Sequence, residues 1–198
     1  MGDFDKNGTQ DVAGISDPTA NSLYILTNDG TGTLSLAHTY TLQQPSYGIA
    51  TADINGDGKL DLIVVGADVS TESWGYSVLL GNGDGSFQNP VFYAQSVQSA
   101  FTSTIVIADF NHDGKLDLAI PTYQSVAVLL GNGDGTFGSP AYLYDGGPAS
   151  IVGADFNGDG KLDIAAADWQ SCWEKAMGHS NLPFSRIRAD CLACSQRI

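Results

Sequence analysis

Cysteine is missing from most of this 198-residue chain: its three copies, Cys172, Cys191 and Cys194, all lie in the last 27 residues. A fold stapled by disulfides is thereby excluded for everything before them. Basic residues are scarce too, eight against 22 acids, and the formal charge of −14 disfavours nucleic acid or an anionic membrane as a partner. No run of about 18 apolar residues occurs, so no membrane-spanning helix and no membrane insertion is expected. The opening residues, MGDFDKNGTQ, have neither the basic start nor the apolar stretch of a signal peptide, and Gly2 leads directly into a loop motif, which makes myristoylation a poor reading. Histidine is limited to His38, His112 and His179, none in a recognisable nucleophile motif, so an enzyme is not expected.

What the chain does have is glycine, 24 residues of it, and aspartate in clusters. The stretch ADFNHDGKLDLAIPT begins at Ala108. Close copies begin at Ala52 (ADINGDGKLDLIVVG) and Ala154 (ADFNGDGKLDIAAAD), and a looser one at Gly2 (GDFDKNGTQDVAGIS). Their leading aspartates, Asp3, Asp53, Asp109 and Asp155, are 50, 56 and 46 residues apart. Such a period marks one supersecondary unit per repeat.

Within a unit, short apolar or alternating runs are separated by Gly, Asn and Pro, the pattern of strands and tight turns. The third unit reads STIVIAD, then the loop, KLDLAIPT, SVAVLLGNGDGTF and GSPAYLYDGG, which is four strands. The second follows the same plan, its extra residues falling partly in ADVSTESWGY, read as a longer loop between the second and third strands. Several strands, such as Leu62 to Val65 and Ile105 to Ala108, are apolar on both faces, so sheet must pack on sheet. Four strands per repeat at this period predict an all-β fold, a β-propeller of four-stranded antiparallel blades, with a β-sandwich as the rival. The blades present make an incomplete arc of about three to four: the first lacks its opening strand and the fourth its last two.

The loops gather 12 of the 22 acids. Two carboxylates about 5 Å apart repel by roughly 3 kcal/mol at an effective dielectric near 20, so clustering of this kind calls for a counter-charge. Oxygen-bearing side chains fall at loop positions one, three, five and nine. They are Asp3, Asp5, Asn7 and Asp11; Asp53, Asn55, Asp57 and Asp61; Asp109, Asn111, Asp113 and Asp117; and Asp155, Asn157, Asp159 and Asp163. Position six is always glycine, and position seven (Thr9, Lys59, Lys115, Lys161) varies as if only its backbone carbonyl were used. An all-oxygen donor set suits Ca²⁺, about four ions in all, which would offset about half of the formal charge. A plain Asx/Gly turn without metal is the bland alternative. An EF-hand is rejected, because position twelve is Gly14, Val64, Ile120 or Ala166 rather than glutamate. The second recurring stretch, LLGNGDG at Leu79 and Leu129, carries one acid per copy and reads as a hairpin turn.

DFNGDGKLDIA with its copies, and the order of that loop, VLLGNGDGTF and a following proline, resemble the FG-GAP/VCBS repeat family over residues 1 to 168. The family's best-known members form the integrin-α-like propeller. The resemblance implies that the calcium loops join the first and second strands of each blade and that the oxygens named above are the ligands. It also implies an extracellular or cell-surface, non-catalytic binding or adhesion module whose ligand is a protein or a glycan, the alternative being a lectin-like propeller or the carbohydrate-targeting part of a secreted enzyme. The face opposite the loops would then carry Trp74, Tyr76, Tyr123 and Trp169, as ligand contacts or as packing between blades. Family propellers close with more blades than this chain holds, which reads as a partial chain, completed by further blades or a partner chain. Residues 169–198 abandon the repeat, and the lone CxxC of Cys191 and Cys194 is a weak metal or redox signal.

Overall fold

The computed structural model describes residues 1–16, 20–68, 73–95, 104–122, 125–143, 148–156, 158 and 162–168. Every regular element among them is a strand. The first sheet comprises β1 (Val12–Ile15), β2 (Ser22–Asn28) and β3 (Leu34–Thr41). The second comprises β4 (Ser46–Ala52), β5 (Asp61–Asp68), β6 (Ser73–Leu79) and β7 (Val91–Gln95). A third runs β8 (Val106–Ala108), β9 (Asp117–Pro121), β10 (Val126–Leu129) and β11 (Ala141–Leu143). Last come β12 (Pro148–Ala154) and β13 (Asp163–Asp168). Each sheet is an antiparallel meander in chain order. The described residues therefore form an incomplete arc of propeller blades: three strands, four, four and two.

The residues that alternate along a strand decide which neighbouring blade it packs against. On β5, Leu62 and Val64 pack with Phe4, Leu23 and Ile25 of the first sheet, while Ile63 and Val65 pack with Leu118, Ile120 and Leu129 of the third. A third core joins Phe110, Ala119 and Val128 to Ile151, Ile164 and Ala166 of the fourth. Each core thus lies between consecutive sheets, which is why both faces of the central strands are apolar and why the sandwich is not the architecture. The outermost strands face water, as β3 shows along nearly its whole length.

One sequence expectation needs correction. The ADVSTESWGY stretch was expected to be a long loop, but β5 runs to Asp68 and β6 starts at Ser73, with Ala67 paired to Trp74 across the ladder. Only residues 69–72 fall outside the described part of it. Trp74 and Tyr76 gain their burial by extending this ladder; both are core residues of the second blade.

The hairpin glycines after the third strands bring backbones close. A Cβ built on Gly131 would lie against the Leu116 carbonyl oxygen, nearer than real Cβ atoms come, and Gly81 repeats this against Leu60. Because the obstacle is backbone, it cannot swing aside. Gly131→Ala is expected to destabilise the protein by about 1–3 kcal/mol, as overpacking does, measured as a lower urea midpoint at unchanged slope.

Candidate metal centre

The DxNxDGxxD loops connect β4 to β5, β8 to β9 and β12 to β13, the first two strands of each blade. The first copy ends in β1, with Gly2 bridging Asp11 where a strand pair would start. Two left-handed residues shape each of the first three turns, position four (Lys6 φ 59°, Gly56 φ 73°, His112 φ 61°) and position six (Gly8 φ 86°, Gly58 φ 77°, Gly114 φ 84°), and Gly158 (φ 76°) repeats position four in the fourth. The glycine at position six was legible in the sequence. Left-handed backbone at position four was not, because Lys6 and His112 bear a Cβ that opposes it.

This backbone turns successive N–H groups onto the carboxylate at position one. Asp53 Oδ1 accepts from Asp57 N (3.0 Å) and Oδ2 from Gly58 N (2.8 Å). Asp109 repeats the pair from Asp113 N (3.1 Å) and Gly114 N (2.8 Å), and Asp3 from Asn7 N and Gly8 N (both 3.0 Å). Position three accepts from the position-five N–H in the same way, through Asp5, Asn55 and Asn111. In the first loop one oxygen each of Asp3, Asp5 and Asp11 lies within 4.8 Å of the others. Among the described residues only the first loop draws three carboxylates together in this way; those of the second and third loops form no such group.

Differences between copies follow from their residues. Loops two and three have asparagine at position three, so their position-five aspartate must supply the third carboxylate. Asp57 instead meets the Lys59 ammonium at 3.3 Å and accepts the Lys59 N–H. Asp113 accepts from Lys115 N and from Asn111 Nδ2. In the first loop Thr9 takes the lysine's place, and its hydroxyl donates to Asn7 Oδ1 or the Asn28 carbonyl. Asn157, Asp159 and Lys161 lie outside the described residues, as do Tyr123 and Trp169. The fourth loop is represented by Asp155, which accepts from Gly158 N at 2.7 Å, and by Asp163.

Position nine has a role that spacing did not reveal. Asp11, Asp61, Asp117 and Asp163 are fully buried, unlike the half-exposed aspartates at position one of the first three loops. In the first three copies each such carboxylate bridges two parts of the blade. Asp61 Oδ2 accepts from Ile54 N in the loop (3.0 Å) and Oδ1 from Gly81 N after the third strand (2.8 Å). Asp117 does the same with Phe110 N (2.9 Å) and Gly131 N (2.8 Å), and Asp11 with Phe4 N (2.8 Å) and Asn28 N (2.9 Å). Burial pushes the Asp61 and Asp117 carboxyls above the usual range, against the pull of these N–H groups. Asp163 keeps the loop contact, from Phe156 N at 3.1 Å, but its buried Oδ1 has no partner among the described residues. A sequence signal existed: an aspartate opening an apolar strand in every copy, with Gly81 and Gly131 just past the third strand in the second and third blades.

The GNGDG turns are hairpin turns. Asp84 accepts both the hydroxyl and the N–H of Ser86, and Asp134 those of Thr136, which holds both carboxyls below the ordinary value. The turn of the second blade also reaches the loop of the first, with Gly85 N donating to the Phe4 carbonyl at 2.9 Å. Among the described residues no helix is long and apolar enough to cross a membrane.

The blades and their repeated acidic loops define the class. The family model of the FG-GAP-like repeat matches residues 3–64 and 109–166, more than half of the chain. The chain belongs to the FG-GAP-like repeat family. Among solved structures, sixteen chains match. One is a lectin of Agrocybe aegerita, described as specifically recognising non-reducing terminal N-acetylglucosamine. It is 26% identical with a TM-score of 0.54, the match covering 83% of this chain and 44% of that one. This chain thus spans less than half the length of that neighbour. No curated protein matches the chain.

Proposed function

We propose that the chain is a calcium-binding repeat module, a non-catalytic binding scaffold that works outside the cell or at its surface. The observation that carries this reading is the convergence of Asp3, Asp5 and Asp11 oxygens within 4.8 Å in a loop type that recurs four times. Hard oxygen donors in a flexible turn suit Ca²⁺, and extracellular modules of this kind work at dissociation constants of about 10⁻⁴–10⁻³ M. Asp3, Asp5, Asn7 and Asp11, the Thr9 carbonyl and their equivalents would hold the ions. What the ion supplies is positive charge where each blade's first two strands meet; no reaction is assigned to it. Titrating EDTA-treated protein with Ca²⁺ in a calorimeter tests the reading. Saturable heat that disappears stepwise as loops are disabled supports it, and no heat from a folded sample overturns it.

A glycan ligand is the second reading, favoured by the likeness to the Agrocybe aegerita lectin. It does not rest on Trp74 or Tyr76, which are buried. Binding to an array of glycans ending in N-acetylglucosamine, lost on removing that sugar, is the expected result; a blank array at saturating Ca²⁺ would leave protein as the ligand class.

A further inference from the structure

Loop position seven varies in chemistry, yet in the first three copies its side chain rests on the same seat. The seat is a left-handed glycine in the turn that joins the blade's last two strands: Gly30, Gly83 and Gly133. A Cβ built on Gly83 would lie 3.2 Å from both Cγ and Cδ of Lys59, and one on Gly133 3.2 Å from the same two atoms of Lys115. On Gly30 it would lie 3.4 Å from Thr9 Cγ2. The side chain at position seven is thus held beside its loop, and whatever charge it bears is held there with it.

What is held differs between copies. In the second loop the Lys59 ammonium stands 3.3 Å from Asp57 Oδ2, both side chains being partly exposed. In the first loop Thr9 brings no charge, and its hydroxyl is directed to Asn7 Oδ1 or the Asn28 carbonyl. Asp5 Oδ2 there accepts from the neutral Asn7 amide at 2.9 Å. Lys6, at position four, carries its Cε toward Gly83 of the next blade, 3.5 Å from where a Cβ would stand. The loop without a seated lysine is also the one whose three carboxylates converge within 4.8 Å.

Resting on the calcium reading above, we propose that position seven sets the order in which the loops take up Ca²⁺. The first loop fills at the lowest concentration. Lys59 and Lys115 are tethered counter-ions: their charge opposes an entering divalent ion, and the Lys59 to Asp57 pair is given up when Asp57 turns to that ion. Giving up a partly exposed ion pair weakens binding about two- to fivefold, and salt screens the effect. The repeats then respond to calcium in steps instead of at one threshold.

Amide NMR of the isotope-labelled 198-residue chain, stripped with EDTA and titrated with CaCl₂, tests this loop by loop. The amides of Gly8, Gly58 and Gly114 each donate to the position-one carboxylate of their own loop, so each reports one site. Gly8 is expected to reach its midpoint first. Lys59→Met keeps an unbranched stem on Gly83 without the charge, and should lower the Gly58 midpoint about two- to fivefold while Gly8 stays in place. Lys59→Arg should leave both as in wild type. Lys115→Met should act on Gly114 as Lys59→Met does on Gly58, and Thr9→Lys should raise the Gly8 midpoint. Dispersed amide spectra before Ca²⁺ is added identify the variants that fold. A Gly8 midpoint above that of Gly58, or a Gly58 midpoint that Lys59→Met leaves unchanged, overturns the proposal with calcium binding intact. Three amides that never move would remove the calcium reading itself, and this inference with it.

Discussion

Asp117→Ala is expected to lower the stability of the metal-free protein by about 2–4 kcal/mol. Its two oxygens are the acceptors for Phe110 N and Gly131 N, both in buried hydrogen bonds, and each donor left without a partner costs about 1–3 kcal/mol. Part of that loss is offset. Burial raises the Asp117 carboxyl above its usual value, so the folded state holds its proton more tightly than the unfolded chain does. By linkage, the ionised form contributes unfavourably once the pH has risen through the raised value, and deleting the charge removes that term. Hence the expectation sits below the sum of two orphaned donors. Two companions make the test specific. Asp163→Ala removes an acceptor from one donor alone, Phe156 N, and should cost about half as much. Asp113→Ala, at an exposed position, should stay within about 0.5 kcal/mol in EDTA. Urea unfolding of the three variants would reject the clamp if Asp117 and Asp113 gave equal losses.

Much of the repeat is legible in the sequence, because its period, turn glycines and two-sided apolar strands are local patterns. Leu62 to Val65 announced a strand buried on both faces, and β5 packs into two different cores through its alternate residues. The loops' place between first and second strands followed in the same way. What spacing could not convey was the direction of a carboxylate. Positions one and nine carry the same residue in every copy, yet Asp109 receives N–H groups of its own turn while Asp117 reaches across to the third strand. That difference arises from register, since Asp117 faces Ala108 across the β8–β9 pair and so enters the blade rather than the turn. Trp74 and Tyr76 illustrate the same limit. Their aromatic character suits an exposed contact face as well as a core, and the pairing of Ala67 with Trp74 decides for the core.

Calcium is expected to change the stability of the protein more than any single substitution. With free Ca²⁺ at 100 times the dissociation constant, each occupied site adds about 2.7 kcal/mol. Four loops would together contribute on the order of 10 kcal/mol, comparable with the whole stability of an ordinary domain. The chain should nevertheless remain folded in EDTA. Backbone N–H groups already engage Asp3, Asp53 and Asp109, and the position-nine clamps need no metal. What metal removal exposes is the repulsion among carboxylates as close as Asp3, Asp5 and Asp11, worth roughly 3 kcal/mol per pair at an effective dielectric near 20. Asp5→Ala gives the discriminating outcome. In EDTA it relieves repulsion and should be neutral or slightly stabilising, whereas in saturating Ca²⁺ it should forfeit about 2–3 kcal/mol, one site's share. Mg²⁺ should stabilise less, because it demands tighter octahedral geometry than a flexible turn provides. Thermal melts of wild type and Asp5→Ala in Ca²⁺, Mg²⁺ and EDTA would settle the matter: coincident wild-type curves would show that the loops are turns held by backbone hydrogen bonds alone.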